Sequence, residues 1–337
     1  MKTYLVTGGA GFIGSHFIRH MLGVFGEDIS IYNVDALTYA GNLANLEAVK
    51  NHPHYHFVKQ NINSPELEDL FKSHTFDAVV HFAAESHVDR SIIDSLPFID
   101  TNVRGTQRLL DFARKYNVKR FCHISTDEVY GSLGDTGSFT ENTPLAPNSP
   151  YSASKAGADL LVRAAFETYQ FPVNIVRCSN NYGPNQFPEK LIPLMITNAF
   201  EGKPLPVYGK GRNIRDWIYV TDFCSAIQTV LEKGIPGEIY NVGGDSEKTN
   251  IDVVKMILEK VGDTNSEIQY VKDRLGHDFR YAIDYRKIHQ ELGWSPQVSF
   301  EEGLERTVTW YKSNAKWWQD IKSGVYMAYY EKQYGTR

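Results

Sequence analysis

Tyr151 and Lys155 stand four residues apart in Tyr151 Ser152 Ala153 Ser154 Lys155, the spacing that sets two side chains on one face of a helix. A phenol of ordinary pKa near ~10 is a poor base at neutral pH, but a neighbouring ammonium favours its ionised form. The pair can therefore take a proton from a substrate hydroxyl. Upstream, Thr126 Asp127 Glu128 closes an apolar run and places two carboxyls beside a hydroxyl. If one of two adjacent carboxyls ionises while the other stays neutral, the pair carries a general base and a general acid.

A third feature is Gly8 Gly9 Ala10 Gly11 Phe12 Ile13 Gly14, directly after Tyr4 Leu5 Val6 Thr7. Glycines between a strand and a helix let backbone amides approach a pyrophosphate, so Gly8, Gly11, Phe12, Ile13 and Gly14 are the expected dinucleotide cradle. Asp35 closes the next apolar run, where an acid binds the adenosine ribose hydroxyls. Residues 36–40 contain no Arg or Lys to pair with a 2′-phosphate, which favours NAD over NADP. Asn61 and Ile62, just past the third apolar run, are placed at the adenine edge, although an ordinary loop asparagine fits there equally well.

These groups need elements to hold them. Short β-rich apolar runs at 3–7, 29–34, 55–58, 77–82, 119–125 and 173–178 alternate with amphipathic stretches at 12–24, 64–72, 96–116 and 151–170. That alternation predicts an α/β fold, a Rossmann-type doubly wound parallel sheet with helical crossovers. Pro147 Asn148 Ser149 Pro150 predicts the start of the helix that carries Tyr151 and Lys155. After about residue 180 come Pro and Gly loops, helices near 189–201, 222–232, 250–261 and 300–313, and strands near 238–242 and 268–271. The expected division is an NAD-binding domain over 1–179, with 217–243 returning to it, and a smaller C-terminal substrate-binding lobe over 180–216 and 244–337. Trp317, Trp318, Tyr329 and Tyr330 are expected to pack on the body.

The chain of 337 residues is 42% hydrophobic and 22% charged, a composition that folds and buries a core. Its net charge of −5 offers no general attraction for phosphate backbones or anionic membranes, so neither nucleic acid nor membrane is an expected partner. Cys122, Cys178 and Cys224 are scattered through apolar stretches and suggest neither a disulfide framework nor zinc, pointing to a reduced, cytoplasmic protein. The first residues run straight into the glycine loop, and no signal peptide is expected. His52, His54 and His56 alternate, but no carboxylate or cysteine stands near them and no metal is expected.

Together, the glycine loop, the strand-end Thr126 and the Tyr151-x-x-x-Lys155 spacing resemble the extended short-chain dehydrogenase/reductase family. Further stretches carry the resemblance over nearly the whole chain: Phe82 Ala83 Ala84 Glu85 Ser86 His87 Val88 Asp89 Arg90 Ser91, Ser125 to Gly131, Arg177 to Pro184, Gln186 to Pro193 and Arg215 Asp216 Trp217. Adjacent Asp127 and Glu128 are similar to the family's nucleotide-sugar 4,6-dehydratases rather than to its epimerases. The resemblance implies that Tyr151 takes the C4 hydroxyl proton as NAD oxidises the sugar, Glu128 removes the C5 proton, and Asp127 protonates the departing C6 hydroxyl. Thr126 would hydrogen-bond the C4 oxygen, and Lys155 would hold the nicotinamide ribose.

By the same resemblance Ala83 and Ala84 touch the cofactor, and Ser86, His87, Asn181, Glu189, Lys190, Leu191, Pro206, Tyr208, Arg215, Asn250 and Arg280 meet the nucleotide sugar. Among these, Arg215 and Arg280 would bind the diphosphate and Tyr208 would stack on the base. The implied substrate is dTDP-glucose; the alternative is dehydration or epimerisation of another sugar nucleotide such as UDP-N-acetylglucosamine. A homodimer through the helices at 96–116 and 151–170 is implied as well.

Overall fold

The computed structural model describes residues 1–323. Seven strands form one parallel sheet: β1 (Lys2–Thr7), β2 (Ile29–Asp35), β3 (Tyr55–Lys59), β4 (Ala78–His81), β5 (Phe121–Thr126), β6 (Val173–Cys178) and, later in the chain, β10 (Ile239–Val242). Their order is β10-β6-β5-β4-β1-β2-β3, the doubly wound arrangement in which the strand order reverses between β1 and β4 while all strands stay parallel. Crevices form at the carboxyl ends of strands at such a point, which is where Gly8, Asp35, Phe82 and Thr126 emerge. Strand side chains alternate: Tyr4 and Val6 enter the core on one face of the sheet, and Leu5 enters the core on the other. Because both faces are covered, β1 reads as an unbroken apolar run.

Helices α1 (Phe12–Phe25) and α8 (Val220–Lys233) cover the first face together with α10 (Arg286–Leu292). On the second lie α2 (Leu67–Ser73), α5 (Thr106–Lys115) and α6 (Pro150–Tyr169). The start of α6 is set locally: the Ser149 and Ser152 side chains cap each other's backbone amides and Pro150 takes the first helical position. Short α3 (Val88–Ile93) and α4 (Leu96–Phe98) precede α5.

The stretch expected as one helix over 96–116 is broken by a π-helical turn, Ile99–Gly105. Gly105 makes room for it, since a Cβ there would lie 2.5 Å from Ile62 Cδ1. The wider turn places Asn102 where its Oδ1 accepts from Glu85 N at 2.9 Å and its Nδ2 donates to Glu85 O at 3.0 Å and Ser154 Oγ at 2.8 Å. The loop after β4 is thereby pinned to α6.

The remaining strands are β7 (Asn180–Tyr182), β8 (Leu205–Tyr208), β9 (Ile214–Tyr219), β11 (Glu247–Thr249) and β12 (Ile268–Val271). They build a β11-β9-β7 sheet and a β12-β8 pair, packed with α7 (Leu191–Phe200), α9 (Asn250–Val261), α11 (Phe300–Ser313) and α12 (Ala315–Lys322) around a separate apolar cluster. Residues 217–219, expected within the segment returning to the first sheet, instead end β9 in the smaller sheet, and the return begins with α8. Trp318 is buried and donates to Tyr311 O at 2.9 Å, and Trp317 donates to Asn45 Oδ1 at 3.1 Å. Tyr329 and Tyr330 lie outside the described residues. Of the three alternating histidines only His56 falls in β3, stacked on Tyr32 at 4.6 Å. No helix among the described residues is long and apolar enough to cross a membrane.

Candidate active site

A cavity of about 320 Å³ opens at the carboxyl ends of the parallel strands. Gly8, Gly11, Phe12, Ile13 and Gly14 line one end. Gly8 has φ +72°, and a Cβ on it would lie 2.6 Å from Ala83 N; one on Gly14 would lie 2.4 Å from Gly8 O. Only glycine lets β1, α1 and the β4 exit meet this closely. The first amides of α1 have no partner within the helix, and its first turn holds no acidic side chain, leaving the positive helix end for an anion.

Asp35 lines the same end, its two carboxylate oxygens accepting from Ala10 N and Leu37 N at 2.8 Å each. Burial raises its pKa against those two bonds. Ile62, Ala83 and Ala84 line the cavity too, as does Asn61, whose Oδ1 accepts from Asn63 N at 2.8 Å in a local turn. This donor and acceptor set fits an adenine dinucleotide: unpartnered amides for the pyrophosphate and an acid for the ribose.

At the other end stand Thr126, Glu128, Tyr151 and Lys155. Lys155 Nζ donates to Ile124 O at 2.7 Å, and burial pushes its pKa down to about 8. Burial, followed by the Glu128 charge, raises the Tyr151 phenol well above its ordinary value. The expected easing of Tyr151 by its lysine neighbour is thus outweighed in the protein alone, because desolvation of the ring dominates.

Asp127 and Glu128 differ sharply in surroundings. Asp127 is buried behind the cavity wall, hydrogen-bonded by Thr126 Oγ1 at 3.3 Å, with Oδ2 lacking any partner. Its pKa is raised well above the carboxylate range by burial and then by the Glu128 and Asp216 charges. Burial also raises Glu128, but Arg274, Arg215 and Lys190 oppose the rise. Arg215 opposes the rise at both carboxyls, but acids outweigh it at Asp127, whereas at Glu128 three cations outweigh the one acid, Asp278.

Ser86, Asn181, Glu189 and Lys190 also line the cavity. Lys190 Nζ donates to Ser86 O at 2.6 Å. Glu189, expected at the sugar, is engaged by Arg90, whose Nη2 and Nε lie 3.1 and 3.2 Å from Oε2. Arg90 in turn stacks on Tyr39 at 4.0 Å. His87 is buried, caps α3 and is held neutral, burial being the main cause of its low pKa.

The remaining expected contacts do not line this cavity. Leu191 packs with the smaller lobe's core, Pro206 and Tyr208 lie in β8, and Asn250 opens α9. Tyr208 OH donates to Asp89 Oδ2 at 3.1 Å. Arg215 lies over the Tyr281 ring at 4.2 Å and donates to Asp278 O at 3.0 Å. Arg280 is clamped by Glu247 at 2.6 and 2.7 Å and donates to Gly137 O at 2.9 Å, so little of its guanidinium is left for a diphosphate.

The sequence reading missed Arg274, which stands in a loop with no motif of its own. Its Nε makes no hydrogen bond, its nearest acid is Asp89 at 3.8 Å, and its charge opposes the rise of the Glu128 pKa. Asn180 and Gln186 were missed as well; each lines the cavity with a buried amide oxygen lacking a partner.

A doubly wound sheet, a glycine cradle, a Tyr–Lys couple and a split carboxyl pair define an extended short-chain dehydrogenase/reductase with proton chemistry beyond simple oxidation. The chain belongs to the GDP-mannose 4,6 dehydratase family, whose family model matches residues 5–307. It is 53% identical to a dTDP-glucose 4,6-dehydratase of Xanthomonas campestris pv. campestris, covering 97% of each chain. Two similar solved structures are dTDP-glucose 4,6-dehydratases. That from Bacillus anthracis, in complex with NAD, has TM-score 0.89 and 54% identity, covering 96% of this chain and 100% of that one. That from Streptomyces venezuelae, with NAD and TYD bound, has TM-score 0.91 and 52% identity over 95% and 100% of the two chains.

Proposed function

We propose that this chain dehydrates dTDP-glucose to dTDP-4-keto-6-deoxyglucose, using NAD that is regenerated within each cycle. The observation that carries the reading is the opposed setting of two adjacent carboxyls: acids outweigh the one cation at Asp127, whose Oδ2 is unpartnered, and cations outweigh the one acid at Glu128. Simple oxidation or 4-epimerisation needs no such pair. Bound NAD, held by the glycine cradle, Asp35 and Lys155, would accept a hydride from C4 and give it back at C6, and its cationic ring would favour the Tyr151 phenolate.

Thr126 Oγ1 orients the C4 oxygen, and Tyr151 Oη takes the C4 hydroxyl proton. The resulting ketone acidifies C5, whose proton passes to the Glu128 carboxylate. Asp127, held neutral, gives its proton to the C6 hydroxyl, which leaves as water, and Glu128 returns a proton to C5 as the hydride arrives at C6. Lys155 keeps a positive charge beside Tyr151 and binds the nicotinamide ribose. Arg215, with Lys190 and Asn181, is assigned to the diphosphate side; the name of one relative and the TYD bound in another support thymidine as the nucleoside.

The dinucleotide part is assigned to residues 1–179 with 220–243, and the nucleotide-sugar part to 180–219 and 244–337. We also assign a homodimer. Ile92, Ile93, Leu96, Ile99 and Leu160 are exposed on α3, α4, the π-helical turn and α6, and a second copy of the same face would cover them. Three buried, unpaired cysteines support work in the cytoplasm. The test is mass spectrometry of dTDP-glucose and, separately, UDP-N-acetylglucosamine after incubation with protein and NAD. Loss of one water from dTDP-glucose alone is expected; loss from the UDP sugar alone would overturn the substrate, and no loss from either would overturn the activity.

A further inference from the structure

Behind the cleft, α6 continues the catalytic spacing by one more step. Tyr151, Lys155 and Asp159 occur at i, i+4 and i+8, and all three side chains are buried. An acid four residues beyond the catalytic lysine, on the buried face of the same helix, has no part in the proton steps above.

Its partners come from the strands beneath. Arg177 Nε of β6 donates to Asp159 Oδ2 at 2.8 Å. Arg177 Nη1 also donates to Tyr130 OH at 2.8 Å, and that hydroxyl donates to Asn241 Oδ1 at 2.8 Å. His123 Nε2 of β5 faces Asp159 Oδ1 at 3.4 Å. Burial alone would raise the Asp159 pKa, but His123 and Arg177 outweigh it and keep the group below the usual carboxylate range. The carboxylate is therefore ionised and fixed.

Besides Asp159, the acids on the elements packed about Lys155 are Asp127, which burial keeps neutral, and Glu128, at the same end of the cavity. The other titratable groups around Lys155 bring no negative charge in the NAD-free protein. On its own helix it has Tyr151, a protonated phenol. From β4 and β5 come His81 and His123, both buried and pushed down by desolvation, His123 to about 4. From β6 comes Cys178, whose thiol burial keeps protonated. Desolvation lowers the Lys155 pKa, and the strongest opposing influence is Asp159. A buried ammonium without a counter-ion gives up its proton.

We propose that Asp159, anchored by Arg177, is a positioning residue for the reaction: it is the counter-ion that keeps the Lys155 ammonium charged beside Tyr151. The assignment rests on the proposed role of Lys155, but its test separates the two. Lysine labelled with 13C at Cε is followed by NMR against pH in the NAD-free protein, with the Lys155 signal identified by its absence in Lys155→Met. In Asp159→Asn the Lys155 titration should fall by ~1 pH unit or more, the size of effect a close opposite charge exerts. Asp159→Glu, which keeps the charge, should restore most of it.

Arg177→Gln removes the cation that keeps Asp159 ionised and in place and should lower the same titration, whereas Arg177→Lys, which keeps that charge, should leave it near the wild-type value. The alkaline limb of turnover of dTDP-glucose should follow the NMR shifts in each variant. An Asp159→Asn titration that coincides with the wild type, with only a lower melting temperature, would overturn the proposal. If that variant does not fold, an Arg177→Gln titration that stays at or above the wild-type value overturns it. A protein that shows the NMR shifts but leaves dTDP-glucose unchanged would sink the reaction and keep the counter-ion.

Discussion

Replacing Lys155 by Met should make the protein more stable at neutral pH while removing most of its activity. Burial takes the lysine pKa from 10.5 to about 8. A folded value below the unfolded one means that the unfolded chain binds more protons between those limits, so stability is lowest below pH 8 and recovers as pH rises through the window. At ~1.4 kcal/mol for each pH unit of that fall, the ammonium costs the wild type ~3 kcal/mol at pH 7. About 2 kcal/mol of this returns by pH 9.5.

The thioether introduced by Lys155→Met cannot titrate, but it leaves Ile124 O without the donor that now lies at 2.7 Å, an orphaning that costs ~1–3 kcal/mol. The net gain at pH 7 is therefore ~0–2 kcal/mol. The pH dependence is the sharper measurement, because the orphaned carbonyl contributes equally at both pH values. Urea unfolding of NAD-free wild type and Lys155→Met at pH 7.0 and 9.5 should show the wild type recovering ~2 kcal/mol relative to the variant. Turnover of the variant should be down ~10²–10⁴-fold. Stability curves that run parallel between the two pH values would refute a buried, charged Lys155.

Asp127→Asn and Glu128→Gln should each lower turnover by ~10²–10⁴-fold, but only Glu128→Gln should also stop wash-in of solvent deuterium at C5. Exchange at the wild-type rate in Glu128→Gln would show that another group is the base. In Gly14→Ala the new Cβ would lie 2.4 Å from Gly8 O and 2.8 Å from Gly9 Cα, backbone atoms that cannot swing away. Strain of ~1–3 kcal/mol should follow, and calorimetric titration should find NAD affinity at least ~10-fold weaker; unchanged affinity would count against the cradle. Leu96, 71% exposed on α4, is the probe for the dimer. Leu96→Asp should scatter light as a monomer at micromolar concentration, and a wild type that is already monomeric would dismiss that face.

Much of this molecule could be read in order along the chain, because the governing rules are local. Strand period, helix period, the glycine turn and the Ser149 to Ser152 cap each depend on residues a few positions apart, and all seven strands of the sheet and helix α6 fall within a residue or two of where those rules put them. The Tyr151 and Lys155 couple was visible for the same reason. So was the carboxyl pair, as two residue types side by side.

Which carboxyl would be acid and which base came from the family resemblance and not from the two residue types, since their difference in charge environment depends on Asp216, Arg215, Arg274 and Lys190, residues distant in the chain that folding brings around Asp127 and Glu128. The π-helical turn was hidden because it answers to Ile62 and Glu85 rather than to its own spacing. Arg280 looked free until Glu247 was found clamping it, and Asp159 acquires meaning only beside Arg177 and His123. Backbone conformation is largely a matter of near neighbours. Desolvation and Coulomb interaction act through space, so the electrostatic character of the site exists only once distant segments have packed together.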